Sequence, residues 1–206
     1  MGRRIELDVD GAALGAYLAE PEAHTRAGHA ARAGLVVLQE IFGVNGHVRA
    51  VCERFASEGY AALAPQLFDP LEKNVELDYS EASIARGRSL RTALGWGTPL
   101  AAIEAAMTRM RVFGKVGVVG FCWGGSLAFL ASCRLKLDCA VCYYGGQIAE
   151  FAAEPVRAPT LFHFGETDPL IPLSDVEKIR RAQADAPAEF HLYPAEIGRA
   201  SCRERV

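Results

Sequence analysis

Cys122 stands in Gly120-Phe121-Cys122-Trp123-Gly124-Gly125, directly after the apolar run Val116-Gly117-Val118-Val119. A strand, a glycine–x–nucleophile–x–glycine turn and a helix, in that order, make a nucleophile elbow, more often built around serine. Gly120 and Gly124 carry no side chains, so strand and helix can approach closely. The residue between them then takes a strained backbone conformation that exposes its side chain. At a helix start a cysteine is biased toward thiolate, the form that attacks a carbonyl carbon. The backbone N–H of Trp123 is placed to donate to the oxyanion this attack creates. The plainer reading is a packing turn with an incidental buried cysteine. The elbow is preferred because strand, turn and helix occur together.

An elbow of this kind needs an acid after a later strand and a histidine after the acid. "PTLFHFGETDPLIP" (159–172) supplies a strand, a turn and Asp168, with Glu166 as the rival carboxylate. The Asp-Pro-hydrophobic-Pro turn directs Asp168 toward the elbow, although either acid can serve simply to cap a turn. The second oxyanion donor should come from the loop after an early strand. "VLQEIFGVN" (37–45) occupies that place and offers the N–H of Ile41. Glu40 beside it ends an apolar strand, where a carboxylate is costly without a partner, and the Cys122 thiol is the expected one.

The elements that must hold these residues alternate along the chain. A hairpin turns at Asp10-Gly11, and a loop covers 24–34. "LVVLQ" opens as a buried strand, and a helix runs from about Val48 to Glu58. "YAALAP" is a short strand, and 66–80 is an aperiodic excursion over the sheet edge. Helices follow near 81–94 and 98–111, then strand 115–120, helix 123–133, strands 138–144 and 159–164, helix 174–185 and strand 189–193. Repeated strand–helix units predict an α/β fold, a mostly parallel sheet with helices on both faces. One domain is expected over 1–195.

Composition narrows the function. With 22 Lys and Arg against 25 Asp and Glu, the net charge is −3 and the basic residues are scattered, which argues against nucleic-acid or membrane partners. No apolar stretch approaches the roughly 20 residues that span a bilayer, and the N-terminus lacks a signal-peptide core, so a cytoplasmic location is expected. Six cysteines suggest disulfides only by number. Cys52, Cys133, Cys139 and Cys142 lie in apolar segments and read as buried and inert. Cys139 and Cys142 form a C-x-x-C inside a strand, where they point to opposite faces, so neither a redox nor a metal role is expected.

The stretches "QEIFGVNGHVR" (39–49), "GKVGVVGFCWGG" (114–125), "YYGG" (143–146) and "LFHFGETDPLIP" (161–172) together resemble the dienelactone hydrolase family of carboxymethylenebutenolidase-like α/β-hydrolases. The likeness runs from about residue 5 to 194. It implies an α/β-hydrolase fold and hydrolysis of a small-molecule ester or lactone through a cysteine acyl-enzyme; a monomer without cofactor is expected. Cys122 is then the nucleophile and Asp168 the acid. The resemblance also implies that Glu40 holds the resting thiol and that an arginine holds a substrate carboxylate. Arg86, Arg88 and Arg91 are candidates that the sequence does not separate.

The base is not found. The family places it after the last strand in a short "Y-P-x-x-x-H" loop, near position 198, but the histidines stand at 24, 29, 47, 163 and 191. His163 and His191 lie within strands and read as structural. His24 and His29 belong to the wrong loop, and His47 breaks the chain order. After "HLYPA" comes "EIGRASCRERV" (196–206), whose residues from Ile197 can be encoded by ATC GGA AGA GCG TCG TGT AGG GAA AGA GTG, a widely used sequencing-adapter sequence. Residues 196–206 are therefore expected to be non-native, with the last helix and the catalytic histidine missing and Cys202 without a role. Two other functions fit parts of the pattern. One is a glutamine-amidotransferase-like cysteine enzyme, which needs a close downstream His and Glu. The other is a non-catalytic binding protein on a hydrolase fold.

Overall fold

The computed structural model describes residues 2–22, 31–195 and 197. Most of the expected 24–34 loop and of the 196–206 tail, with Cys202, His24 and His29, lies outside the described residues. The strands are β1 (Arg3–Val9), β2 (Ala12–Ala19), β3 (Gly34–Leu38), β4 (Ala61–Pro65), β5 (Val116–Phe121), β6 (Cys139–Tyr143), β7 (Thr160–Gly165) and β8 (Ala188–Tyr193). The helices are α1 (Gly46–Ser57), α2 (Glu81–Leu94), α3 (Gly97–Met110), α4 (Trp123–Arg134) and α5 (Leu173–Ala182). The sheet has eight strands in the order β1-β2-β4-β3-β5-β6-β7-β8. β1 and β2 pair antiparallel, as do β2 and β4, while β3–β4, β6–β7 and β7–β8 pair parallel. This is the expected α/β architecture, and it belongs to the α/β-hydrolase class. The chain divides within β5 into two compact units, Met1–Val118 and Val119–Val206.

In the first unit, the β1–β2 turn puts Asp10 at φ 51° and Gly11 at φ 85°, two left-handed residues in succession, as a tight hairpin requires. The Asn45 side chain caps α1 by accepting from the N–H groups of His47 and Val48. α1 packs on β2, β3 and β4, and α3 packs on β1, β3 and β4. Ala61, Ala62, Leu63 and Ala64 are wholly buried, so β4 is covered on both faces.

Residues 66–80 correct the expectation of an excursion over the sheet edge. Leu67 and Phe68 are buried, and the segment runs along the loop after β3. There Leu77 N–H donates to Phe42 O and Gly43 bridges Glu76. The Asp69 carboxylate pins it by accepting from Gly15 N–H at 2.8 Å and Asn74 N–H at 3.0 Å. Side-chain-to-backbone bonds have no period, so no hydrophobic pattern announces this segment.

In the second unit, residues Trp123 to Cys133 of α4 are all buried. The Ser132 hydroxyl meets Thr160 Oγ1 at 2.7 Å, the Phe129 ring packs near Phe162, and the Arg180 guanidinium of α5 lies over Phe190. The loop before β7 closes on one buried amide. Gln183 accepts from Val156 N–H at 3.0 Å and donates to the carbonyls of Ala152 at 2.8 Å and Glu154 at 2.9 Å. Cys142 is buried and Cys139 exposed, so the two thiols face opposite ways as the strand period requires. The reading of Cys139 as buried is corrected. It starts β6 on the face opposite the one Cys142 buries.

A ladder of rings runs across these strands. Phe121 stacks on Tyr143 at 5.1 Å between centroids, Tyr143 on His163 at 4.5 Å, and His163 on His191 at 4.9 Å. His163 Nδ1 shares a 2.9 Å hydrogen bond with the Tyr193 hydroxyl, and His191 pairs with Glu189 at 3.0 Å. Burial, then the neighbouring His191, hold the His163 pKa below its ordinary value, while Glu189 opposes them. The neutral ring is thus favoured by folding. That stability is present above the unfolded value near 6.5 and is lost as pH falls toward the lowered folded value. The melting temperature is therefore expected to drop between pH 7.5 and pH 5, and to drop less in His163→Gln. Equal drops in the two proteins would show that His163 carries no such linkage.

Candidate active site

The elbow in the second unit is built by close approach. A Cβ placed on Gly120 would lie 1.9 Å from Gly124 O, and one on Gly125 would lie 2.4 Å from Tyr143 O. Cys122 caps α4 at φ 54°, ψ −117°, a left-handed region that a cysteine rarely adopts. Its N–H donates to Tyr143 O at 3.0 Å, and its carbonyl accepts from Ser126 N–H at 3.2 Å. Cys122 is half-buried. Trp123 opens α4 with its side chain wholly buried, and first-turn N–H groups of a helix point out of its N-terminus.

Backbone bonds lead from the elbow toward the acid. Tyr144 N–H donates to His163 O at 2.9 Å, which ties the residue after β6 to β7. Asp168 follows β7, its N–H 3.5 Å from Gly165 O and its Oδ1 accepting from Leu170 N–H at 2.9 Å. The turn-capping role is thus real, and Oδ2 of the same half-buried carboxylate makes no part of that cap. Glu166 is exposed and its N–H donates to Tyr193 O. Sequence reasoning missed Tyr144, a second strained residue at φ 39° beside the elbow. It also missed Ser126, whose wholly buried hydroxyl accepts from Gln147 N–H at 3.1 Å. The available signal was "YYGGQ", a glycine pair directly after a strand.

The first unit carries the other predicted residues. Glu40 is 4% exposed and Ile41 7%, so the carboxylate is withdrawn from solvent. Gln39, which sequence reasoning did not single out, is wholly buried between the Glu40 carbonyl and the Leu67 N–H. α2 backs this loop without a side chain between: a Cβ on Gly87 would lie 2.2 Å from Ile41 O. Arg86 is exposed and grips Glu72 through Nη2, at 2.5 and 2.6 Å from the two carboxylate oxygens. Arg88 is exposed and Arg91 half-buried, so the three arginines on α2 meet different surroundings.

A half-buried cysteine at a strained strand-to-helix turn, with a carboxylate after a later parallel strand, is the layout of an α/β-hydrolase. The chain belongs to the dienelactone hydrolase family, whose model matches residues 14–198. It is 37% identical over 145 residues to a carboxymethylenebutenolidase from Pseudomonas putida, covering 67% of this chain and 61% of that one. It is 33% identical over 166 residues to carboxymethylenebutenolidase 1 from Cupriavidus pinatubonensis, covering 77% and 68%. A crystal structure described as "Putative Dienelactone Hydrolase" from Klebsiella pneumoniae superposes with a TM-score of 0.79 at 28% identity, over 94% of this chain and 86% of that one. The protein is a hydrolase of carboxylic esters or lactones. The glutamine-amidotransferase and binding-protein readings are set aside on that ground. No described helix is long and apolar enough to cross a membrane.

Three of the other described thiols, Cys52, Cys133 and Cys142, are silenced by burial. Desolvation first, then the Glu53 charge, pushes the Cys52 pKa up to about 12, and desolvation with Glu154 does the same for Cys133. Cys142 is raised well above its ordinary value. Alkylation by dilute iodoacetamide at pH 7.5, followed by peptide mapping, is expected to label Cys122 first. The exposed Cys139 follows more slowly, and Cys52, Cys133 and Cys142 react only on unfolding. Labelling of Cys139 ahead of Cys122 would contradict an activated elbow thiol.

Proposed function

We propose that the chain cleaves its ester or lactone through a cysteine acyl-enzyme. The observation that carries this reading is the left-handed Cys122 at the start of a buried helix. The Cys122 thiolate adds to the carbonyl carbon, and the N–H group of Trp123 takes the oxyanion. Collapse breaks the C–O bond, and the leaving alkoxide takes a proton from a histidine oriented by Asp168. Water then attacks the thioester with the same histidine as base, and the thiol returns. Glu40 is buried, which supports a role for it other than a surface charge. We read residues 1–195 as one hydrolase domain, and the extent of the family match supports this. The setting we propose is a cytoplasmic monomer acting on small molecules, without nucleic-acid or membrane partners.

We read none of the described histidines as the base of this cycle. Among the described histidines, His163 is spent on Tyr143, His191 and Tyr193 inside the ring ladder, and His191 pairs with Glu189. His47 lies in the first turn of α1. Loss of one triad member costs on the order of 10⁴–10⁶ in turnover. The chain as written is therefore expected to turn over a small lactone or aryl ester barely above background. Replacing 196–206 by a segment with histidine near position 198 and a terminal amphipathic helix should raise the rate by a factor of that order. Equal rates before and after replacement would overturn the missing-base argument and turn attention to His163 and His191.

A further inference from the structure

We propose that Ser126 is a positioning residue that holds the Cys122–Trp123 peptide at the elbow, an assignment that rests on the acyl-enzyme reading above. Ser126 is wholly buried in α4, about one helical turn after Cys122. Hydrogen bonds close a ring around the turn. The Cys122 N–H donates to Tyr143 O at 3.0 Å, and the Ser126 N–H donates to Cys122 O at 3.2 Å. The Gln147 N–H donates to Ser126 Oγ at 3.1 Å, and the Ser126 O–H donates to Gln147 Oε1 at 3.4 Å. Residues 122–126 and 143–147 complete the ring. Its first two bonds are backbone bonds that most residue types can supply. The bond from Gln147 needs the hydroxyl of Ser126.

That hydroxyl stands in for a missing cap. α4 starts without a side-chain cap, so its first turn lacks the usual device that fixes a helix end. Ser126 ties that turn to the segment after β6 instead. On the same segment Gly145 packs so near that a Cβ there would lie 2.8 Å from Ser126 N. The segment carries strain of its own, with Tyr144 at φ 39° beside Cys122 at φ 54°, and such residues persist only where their surroundings over-determine them. The consequence for the site follows from the planarity of the peptide group. Cys122 O and the Trp123 N–H belong to one trans peptide and point in opposite directions. Holding the carbonyl on Ser126 therefore aims the N–H out of the helix start, where the oxyanion forms. A donor that must reorient in the transition state loses much of its effect. Ser126 touches no reacting atom in this scheme and acts through the Cys122–Trp123 peptide.

The test separates oxyanion stabilisation from thiol reactivity and needs no general base. With p-nitrophenyl acetate the Cys122 thiolate forms an S–C bond and the carbonyl electron pair moves to oxygen. The pair then returns, the C–O bond breaks, and p-nitrophenolate leaves without needing a proton. Iodoacetamide instead forms an S–C bond as iodide departs and creates no oxyanion. Rates of Cys122 acetylation and alkylation are measured by peptide mass spectrometry on the parent chain, Ser126→Ala and Ser132→Ala. Ser132→Ala is the control, since it deletes another wholly buried hydroxyl of α4, the one that meets Thr160. In Ser126→Ala, acetylation is expected to slow about 10–100-fold, with alkylation within about threefold of the parent and Cys133 and Cys142 still unlabelled. Ser132→Ala is expected to acetylate within about threefold of the parent. Unchanged acetylation in Ser126→Ala overturns the proposal. So does equal slowing in Ser132→Ala, or a fall in alkylation parallel to the fall in acetylation, since Ser126 would then support the fold alone. A parent chain that forms no thioester at Cys122 overturns the acyl-enzyme reading itself, and this assignment with it.

Discussion

The site depends on β5 and α4 meeting at a distance that no side chain permits. Gly120 lies so near Gly124 O that a Cβ there would sit at 1.9 Å. That approach bends the chain through Cys122 into the left-handed region, which costs a non-glycine residue roughly 1–3 kcal/mol. The surroundings over-determine the turn. β6 takes the Cys122 N–H through Tyr143 O, and α4 returns the Ser126 N–H to the Cys122 carbonyl. Tyr143 O is also the atom that Gly125 approaches, so one carbonyl fixes both the nucleophile and the first turn of its helix. Tyr144, the next residue, is itself left-handed at φ 39°, so strain at the elbow is matched by strain in the residue that follows its acceptor.

The same economy holds in the first unit. In the loop after β3, backbone groups of Glu40 and Phe42 are met by a buried amide and by the 66–80 segment, and a glycine of α2 packs against Ile41 O.

Most of the fold was legible because the signals were periodic or steric. The hairpin at Asp10-Gly11, the buried run of β4 and the glycine-flanked Cys122 each state their backbone requirement in residue type. The arrangement of 66–80 was not legible, since a buried Phe68 in an aperiodic stretch is placed by Asp69 bonding to backbone far along the chain. Cys139 misled because a cysteine in an apolar strand reads as buried, whereas only one face of β6 is covered at that end. Gln39 and Gln183 were silent for a related reason: a glutamine in sequence does not say that it will be buried as a backbone clamp. The proposed catalytic residues rest on spacing and resemblance, and the packing around Cys122 had to be seen.

The central claim is that Cys122 forms the covalent intermediate. Its most direct measurement is intact-protein and peptide mass spectrometry after brief incubation with p-nitrophenyl acetate at pH 7.5. With the catalytic histidine missing, as proposed, a single acetyl group is predicted to accumulate on the Cys122 peptide and to be absent from Cys122→Ala. Acetylation confined to lysines or to Cys139, with Cys122 unmodified, would contradict the account.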